Sequence, residues 1–157
     1  KEIYHQKLRY SYFGYDIDKK FVSIGLKYFP SMKKKYKIGN IEKIKLRKAD
    51  CSVISGTLAH CDYPLKILKN IIKSTKKIII IRDMFGKKHI EKISRFKALH
   101  PVHYRQFSFE KISKFMTKNN FSPFFILDRA TNFSTNFKSK KFASNRKYYV
   151  MVGIKNE

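Results

Sequence analysis

The stretch "ADCSVISGTLAHCDYPLKILKNIIKSTKKIIIIRDMF" (Ala49 to Phe85) decides the architecture. Cys51 to Ser55 is short and largely apolar, and Gly56 breaks it, the pattern of a strand that ends in a turn. Asp62 stands where a helix cap belongs, with Pro64 in the first turn, where a missing N–H costs nothing. Leu65, Ile67, Leu68, Ile71 and Ile72 then recur at helical spacing and give that helix one apolar face. Ile78 to Ile81 is a continuous β-branched run, which predicts a strand covered on both faces. Strand, crossover helix and strand make a βαβ unit, so the class is α/β with a parallel pair in the sheet.

Upstream, "FGYDIDKKFVSIGLKYFP" (Phe13 to Pro30) repeats the strand-to-helix theme. Tyr12 to Ile17 reads as a strand ending on acidic residues. Asp18 is placed to cap a helix whose apolar set is Phe21, Val22, Ile24, Gly25, Tyr28 and Phe29, and Pro30 and Ser31 end it. Residues 1–12 are Tyr-rich and show no period. "SMKKKYKIGN" reads as a lysine-rich connector, and "IEKIKL" fits either a short strand or a helical turn. Downstream, Gly86 to Gln106 is basic, carries His89, His100, Pro101 and His103, and reads as a long loop or partly helical lid. "SFEKISKFMTKNNF" is an amphipathic helix capped by Ser108, with Phe109, Ile112, Phe115 and Met116 on one face and Asn119 and Asn120 at its end. Phe124 to Leu127 and Tyr148 to Ile154 are the last strands, and Thr131 to Lys147 is a polar connection too long for a tight hairpin. No repeat or linker divides the 157 residues, which predicts one domain.

Composition narrows the function classes. The formal charge is +25, which raises nucleic acid as a partner. Yet the 36 basic residues are twenty-nine Lys and seven Arg, whereas base and phosphate readers favour the planar fork of Arg. Lys, Ile and Asn also share A/T-rich codons, so a solvated lysine coat is the plain alternative. The two cysteines, Cys51 and Cys61, form neither a disulfide framework nor a zinc site, so no metal is expected. They read as small buried thiols in a reducing compartment, the cytoplasm. No apolar run is long enough to span a bilayer, and the start lacks the order of a signal peptide.

Taken in order, these segments resemble a class I S-adenosylmethionine-dependent methyltransferase. More narrowly, they are similar to a family of bacterial methyltransferases often linked to surface-polysaccharide gene clusters. "DCSVISGTLAHCDYPLKILKNII" is similar to that family's D-V-hydrophobic-x-S-G-x-L-x-[YH]-x-x-D-P-x-x-x-L segment after its fourth strand. "KKIIIIRDMF" resembles its fifth strand, and "HPVHYRQFSFEKISKFMTKNNF" with "YYVMVGI" resembles its aromatic helix entry and final strand. The resemblance covers nearly the whole chain. It implies a Rossmann-like, mostly parallel sheet with an antiparallel last strand, and S-adenosylmethionine as cofactor. The family's first strand and glycine-rich turn have no counterpart here, which implies an N-terminally incomplete fold with unpaired strand edges.

Carried over residue by residue, the resemblance gives Asp16 the ribose hydroxyls, a logic shared with dinucleotide folds, and Ile17 the flank of the adenine. Gly39 and Asn40 fall near the adenine, and Ser55, Gly56 and Thr57 border the methionine end. The plain alternatives are a strand end at Asp16 and a simple turn at Gly56. Methyl transfer requires alignment of an acceptor and, for a hydroxyl, removal of its proton. His60, Asp83 and His103 are the candidate bases; Tyr63, Arg82 and Tyr104 are candidate substrate contacts. Each has a structural alternative: a solvated loop histidine, or an Asp83–Arg82 pair. An NPPY-type motif is replaced by "SGTL", which favours a small-molecule or sugar acceptor over adenine or glutamine nitrogens. Two competitors follow from charge and from the lacking glycine turn: an RNA methyltransferase, and a degenerate methyltransferase-like module that binds nucleic acid or protein. A Rossmann dehydrogenase is disfavoured because the glycine fingerprint is absent.

Overall fold

The computed structural model describes residues 11–94, 102–132 and 147–157. They fall into two compact units, Lys1–Lys45 and Leu46–Glu157. The Tyr-rich start up to residue 10, His100 and Pro101, and most of the polar connection after Asn132 lie outside the described residues.

The first unit is a small βαβ. Strand β1 (Gly14–Asp16) leads into helix α1 (Lys19–Tyr28), a 3-10 turn (Pro30–Met32) and strand β2 (Tyr36–Ile38). β1 and β2 are parallel, with Gly14 opposite Tyr36 and Asp16 opposite Ile38. Asp18 caps α1 as expected, its carboxylate accepting from the Lys20 N–H at 2.7 Å. β1 needs a glycine at its start: a Cβ at Gly14 would lie 2.5 Å from the Tyr36 ring. Val22 is buried, whereas Phe21, Ile24 and Tyr28 remain exposed. "IEKIKL" is neither strand nor helix but a turn followed by irregular chain.

The second unit is built on β4 (Thr75–Gly86), whose twelve residues run through the middle of a six-stranded sheet. On one side β4 pairs in parallel with β3 (Ala49–Ser55), from Ala49 opposite Thr75 to Ser55 opposite Arg82. On the other it pairs antiparallel with β8 (Lys147–Lys155), which pairs antiparallel with β7 (Phe121–Leu127). The upper end of β4 also pairs in parallel with β6 (Val102–Ser108), antiparallel partner of β5 (Ile90–Ser94). The sheet is therefore mixed, not mostly parallel: the last strand is antiparallel as expected, and the β5–β6 hairpin adds a further antiparallel pair. Within the stretch from Gly86 to Gln106 expected to be a loop or lid, the described residues form these two paired strands, and residues 95–101 lie outside the described residues. Among the described strands, β3 pairs only with β4, and β1 only with β2.

Helix α2 (Pro64–Ser74) buries Ile67, Leu68 and Ile71, while Leu65 is 52% exposed and stands off the apolar face. Each fully buried aliphatic side chain of this kind stabilises by about 1.5–3 kcal/mol. Asp62 does not cap α2; Tyr63 holds the cap position without a side-chain bond, and Pro64 opens the helix. Helix α3 (Phe109–Lys118) is capped by Ser108, and Ile112 and Met116 are its buried residues. Met116 packs where Gly153 leaves room in β8. On β4, Ile79 and Ile81 are fully buried and Ile78 and Ile80 only partly, so one face is closed and the other half-covered. Phe85, Phe109, Phe125 and Tyr149 form an aromatic cluster joining β4, α3, β7 and β8, with centroids 4.9–6.2 Å apart along its contacts. A four-residue helix α4 (Arg129–Asn132) follows β7.

Candidate active site

Parallel strands present their carboxyl ends, and the loops leaving them, to ligands. In the second unit this edge is the turn after β3. Gly56 has φ +63°, and its N–H donates to the Arg82 carbonyl at 2.8 Å, which ties the turn to β4. Nothing lies within 4 Å of where a Cβ at Gly56 would stand, so glycine is required by the backbone and not by crowding. Thr57 then leads into a 3-10 turn, Leu58–His60, with Leu58 and Ala59 buried and His60 exposed.

Asp83 organises this turn from below. Its carboxylate is fully buried and accepts from the Ala59 N–H at 3.2 Å and from its neighbour Met84 at 2.8 Å. Burial pushes the carboxyl up from its ordinary value, opposed by these backbone donors, by Leu58 and by the nearby His60. Asp83 and Arg82 do not pair, because successive strand residues face opposite sides. Arg82 instead donates to Asp128 at 2.7 Å, to Thr131 and to the Ser55 hydroxyl at 3.4 Å, and lies 4.9 Å over the Tyr148 ring. Burial works to raise the Asp128 carboxyl, but the bonds from Thr131 and Arg82 outweigh it and hold the group low.

The β5–β6 hairpin comes against the same turn. His60 Nδ1 lies 2.8 Å from the His103 carbonyl, and the His60 and Tyr104 rings meet edge to face at 5.8 Å. His103 itself is enclosed: Nε2 is 3.1 Å from Asp62, while Nδ1 is 3.0 Å from Arg105 and 3.4 Å from Glu91. Arg105, only 4% exposed, donates to the carbonyls of Cys61 and Asp62 and to Glu91 at 2.5 Å. The Arg105 bond holds the Glu91 carboxyl below its ordinary value. This latch fastens the hairpin to the loop that follows the 3-10 turn.

The structure thus gathers Ser55, Gly56, Thr57, His60, Asp83, His103 and Tyr104 around one turn, with Arg82 touching its start. Tyr63 lies at the entry to α2 and is 64% exposed. Asp16, Ile17, Gly39 and Asn40 belong to the first unit. There the Gly39 N–H donates to the Asp16 carbonyl at 2.8 Å, so the ends of β1 and β2 are adjacent. Asp16 Oδ1 accepts from the Asp18 N–H at 2.8 Å, and Ile17 is 67% exposed. Asn40 caps the following turn through Glu42 N–H at 2.8 Å. Cys51 is exposed, not buried as expected; Cys61 donates to the Thr57 carbonyl at 3.1 Å. Among the described residues no His, Cys, Asp and Glu cluster could hold a metal, and no helix is long and apolar enough to cross a membrane.

Sequence reasoning missed Arg105, Glu91, Asp62 and Asp128 as parts of this edge. A signal existed for Arg105: an arginine in a chain that otherwise uses lysine marks a place where several acceptors must be met at once.

Compared with solved structures, the chain superposes on an S-adenosylmethionine-dependent methyltransferase from Clostridium acetobutylicum ATCC 824 with a TM-score of 0.64 at 12% identity, over 94% of this chain and 76% of that one. The fold is that of the S-adenosylmethionine-dependent methyltransferases. A second match is the magnesium protoporphyrin IX methyltransferase ChlM of Synechocystis PCC 6803 with bound S-adenosylhomocysteine, at TM-score 0.62 and 13% identity, over 92% of this chain and 64% of that one. The [4+2]-cyclase SpnF matches at TM-score 0.70 and 10% identity, over 98% and 70%. No protein-family description and no curated protein matches the sequence. SpnF shows that this fold carries chemistry other than methylation, so the function must be argued from the residues.

Proposed function

We propose that the protein is a methyltransferase that uses S-adenosylmethionine and a small-molecule or sugar acceptor, in the cytoplasm, with surface-glycan modification as its setting. The observation that carries this reading is the tied turn Ser55–Gly56–Thr57 at the carboxyl end of β3, in a fold shared with S-adenosylmethionine enzymes.

Within each unit taken by itself, the residues present suit one part of such a cofactor. Asp16 is exposed at the end of β1; one carboxylate oxygen is taken by the Asp18 N–H, and no contact to the other is found among the described residues. That leaves an acceptor for ribose hydroxyls, with Ile17 as the apolar flank of an adenine and Gly39 and Asn40 beside it. In the second unit, the Ser55–Thr57 backbone would border the methionine portion. When bound, the cofactor supplies an activated methyl group. The chain's own task is to hold and align an acceptor, for which Tyr63, Tyr104 and Arg82 are the contacts, and to receive its proton.

An RNA substrate is the weaker reading. Two of the seven arginines, Arg82 and Arg105, are engaged inside the fold with Asp128 and Glu91. The test is calorimetric titration of S-adenosylhomocysteine into the wild-type chain and Asp16→Ala. Micromolar binding is expected, weakened about 10- to 100-fold by the substitution, since hydrogen bonds to a charged acceptor contribute about 1.5–3 kcal/mol. A folded chain that does not bind would leave the degenerate binding module as the reading.

A further inference from the structure

We propose that His60 is the proton acceptor of the site, through a lone pair on Nε2 fixed by the hairpin, and that the acceptor substrate is therefore a neutral hydroxyl. This rests on the methyl-transfer reading.

Three side chains at the edge were candidates, and their bonding separates them. Asp83 is sealed beneath the turn with its oxygens turned to backbone N–H groups, so no acceptor molecule reaches it. His103 has both ring nitrogens engaged, Nε2 with Asp62 and Nδ1 with Arg105 and Glu91. His60 differs. Its Nδ1 faces a carbonyl oxygen, which has no proton to give, so Nδ1 must carry the hydrogen. In the neutral ring the lone pair then sits on Nε2, for which no partner is found among the described residues, on an exposed residue.

The surroundings suit a proton acceptor. Tyr104 packs its ring edge to face with the imidazole and fixes its plane. Arg105 holds His103 and the loop at Cys61 and Asp62 together, so the carbonyl that sets the tautomer is itself fixed. In the step, the acceptor oxygen's lone pair forms the new O–CH3 bond, the S–CH3 bond breaks with its pair retained on sulfur, and the hydroxyl proton passes to His60 Nε2. A thioether or an already anionic carboxylate has no proton to give and would gain nothing from this arrangement.

The test uses the folded chain labelled with 15N in its histidines, with His60 assigned by the signal lost in His60→Gln. Two ligands are compared: S-adenosylhomocysteine, and sinefungin, which places an ammonium group where the methyl would be. Expected are an Nδ1–H tautomer at His60 and a Cε1–H resonance that moves more with sinefungin than with S-adenosylhomocysteine. An Nε2–H tautomer, or equal movement with both bound ligands, overturns the assignment of His60. Failure of both ligands to bind overturns the methyl-transfer reading itself, and the His60 assignment with it.

Discussion

Asp83 holds its carboxyl oxygens where no water reaches, and the turn above it depends on those acceptors. Its oxygens accept from Ala59 and Met84, so removing them leaves buried N–H groups without a partner. Each orphaned group costs about 1–3 kcal/mol, and Asp83→Ala should lower the free energy of unfolding measured by urea titration by that amount or more. The pH dependence has a definite sign. Because burial raises the folded-state value of Asp83, the folded chain holds its proton more tightly, and this contribution to stability falls as pH rises from the ordinary carboxylate range. Asp128 acts oppositely: its folded value is lowered, so its contribution is present above the ordinary range and lost as pH falls below it. Stability followed against pH in Asp128→Asn should therefore lose part of the acid limb. At Gly56 the issue is conformational alone. An alanine finds open space but a positive φ, so Gly56→Ala should cost about 1–2 kcal/mol in equilibrium unfolding, with no loss of packing.

At the scale of elements, the β5–β6 hairpin hangs on Arg105. One guanidinium meets two carbonyls, a carboxylate and an imidazole; a lysine ammonium lacks the planar fork to do so. Arg105→Lys should speed amide hydrogen exchange in β5, β6 and the Leu58–His60 turn while α3 stays protected; unchanged exchange at the hairpin would show that strand pairing alone holds it. This is also where the sequence was least legible. The βαβ unit from Ala49 to Gly86 could be read because its apolar residues keep one period per element and glycine and proline mark the joins. β5 could not: Ile90 and Ile93 are three apart, which breaks the alternation of a strand, and the pairing that makes it one comes from β6. Strand β2 is three residues in a lysine-rich run and is held by β1. The expected cap at Asp62 failed because the helix starts one residue later than a capping Asp62 requires, and that carboxylate faces His103. Individual site residues were legible as types at a sheet edge, but not their partners, since Arg82 meets Asp128 and Thr131 across 46 and 49 residues of chain.

At the scale of the whole molecule, the formal charge of +25 on 157 residues sets the balance of stability. Like charges spread over a surface repel, and the compact state holds them closer than the unfolded chain does. The exposed ion pairs offset little of this. Lys76 and Asp50 stand 3.9 Å apart with both side chains mostly in solvent, and Lys114–Glu110 is an exposed helix pair. Added salt should therefore relieve more repulsion than it removes attraction. The screening length shrinks from about 30 Å at 0.01 M to about 8 Å at 0.15 M, which uncouples most lysines from one another but spares the half-buried Arg82–Asp128 and Arg105–Glu91 pairs. The midpoint of thermal unfolding should rise over that range; relief of about 1–2 kcal/mol reads as roughly 2–8 °C in a chain of this size. Chloride and sulfate at equal ionic strength divide the cause. Equal shifts mean screening of a dispersed lysine coat, whereas a larger shift with sulfate, beyond its general exclusion from protein surfaces, means that some lysines form a site for a polyvalent anion. A midpoint that falls with salt would show instead that attraction among paired charges, and not repulsion among the lysines, governs the folded state.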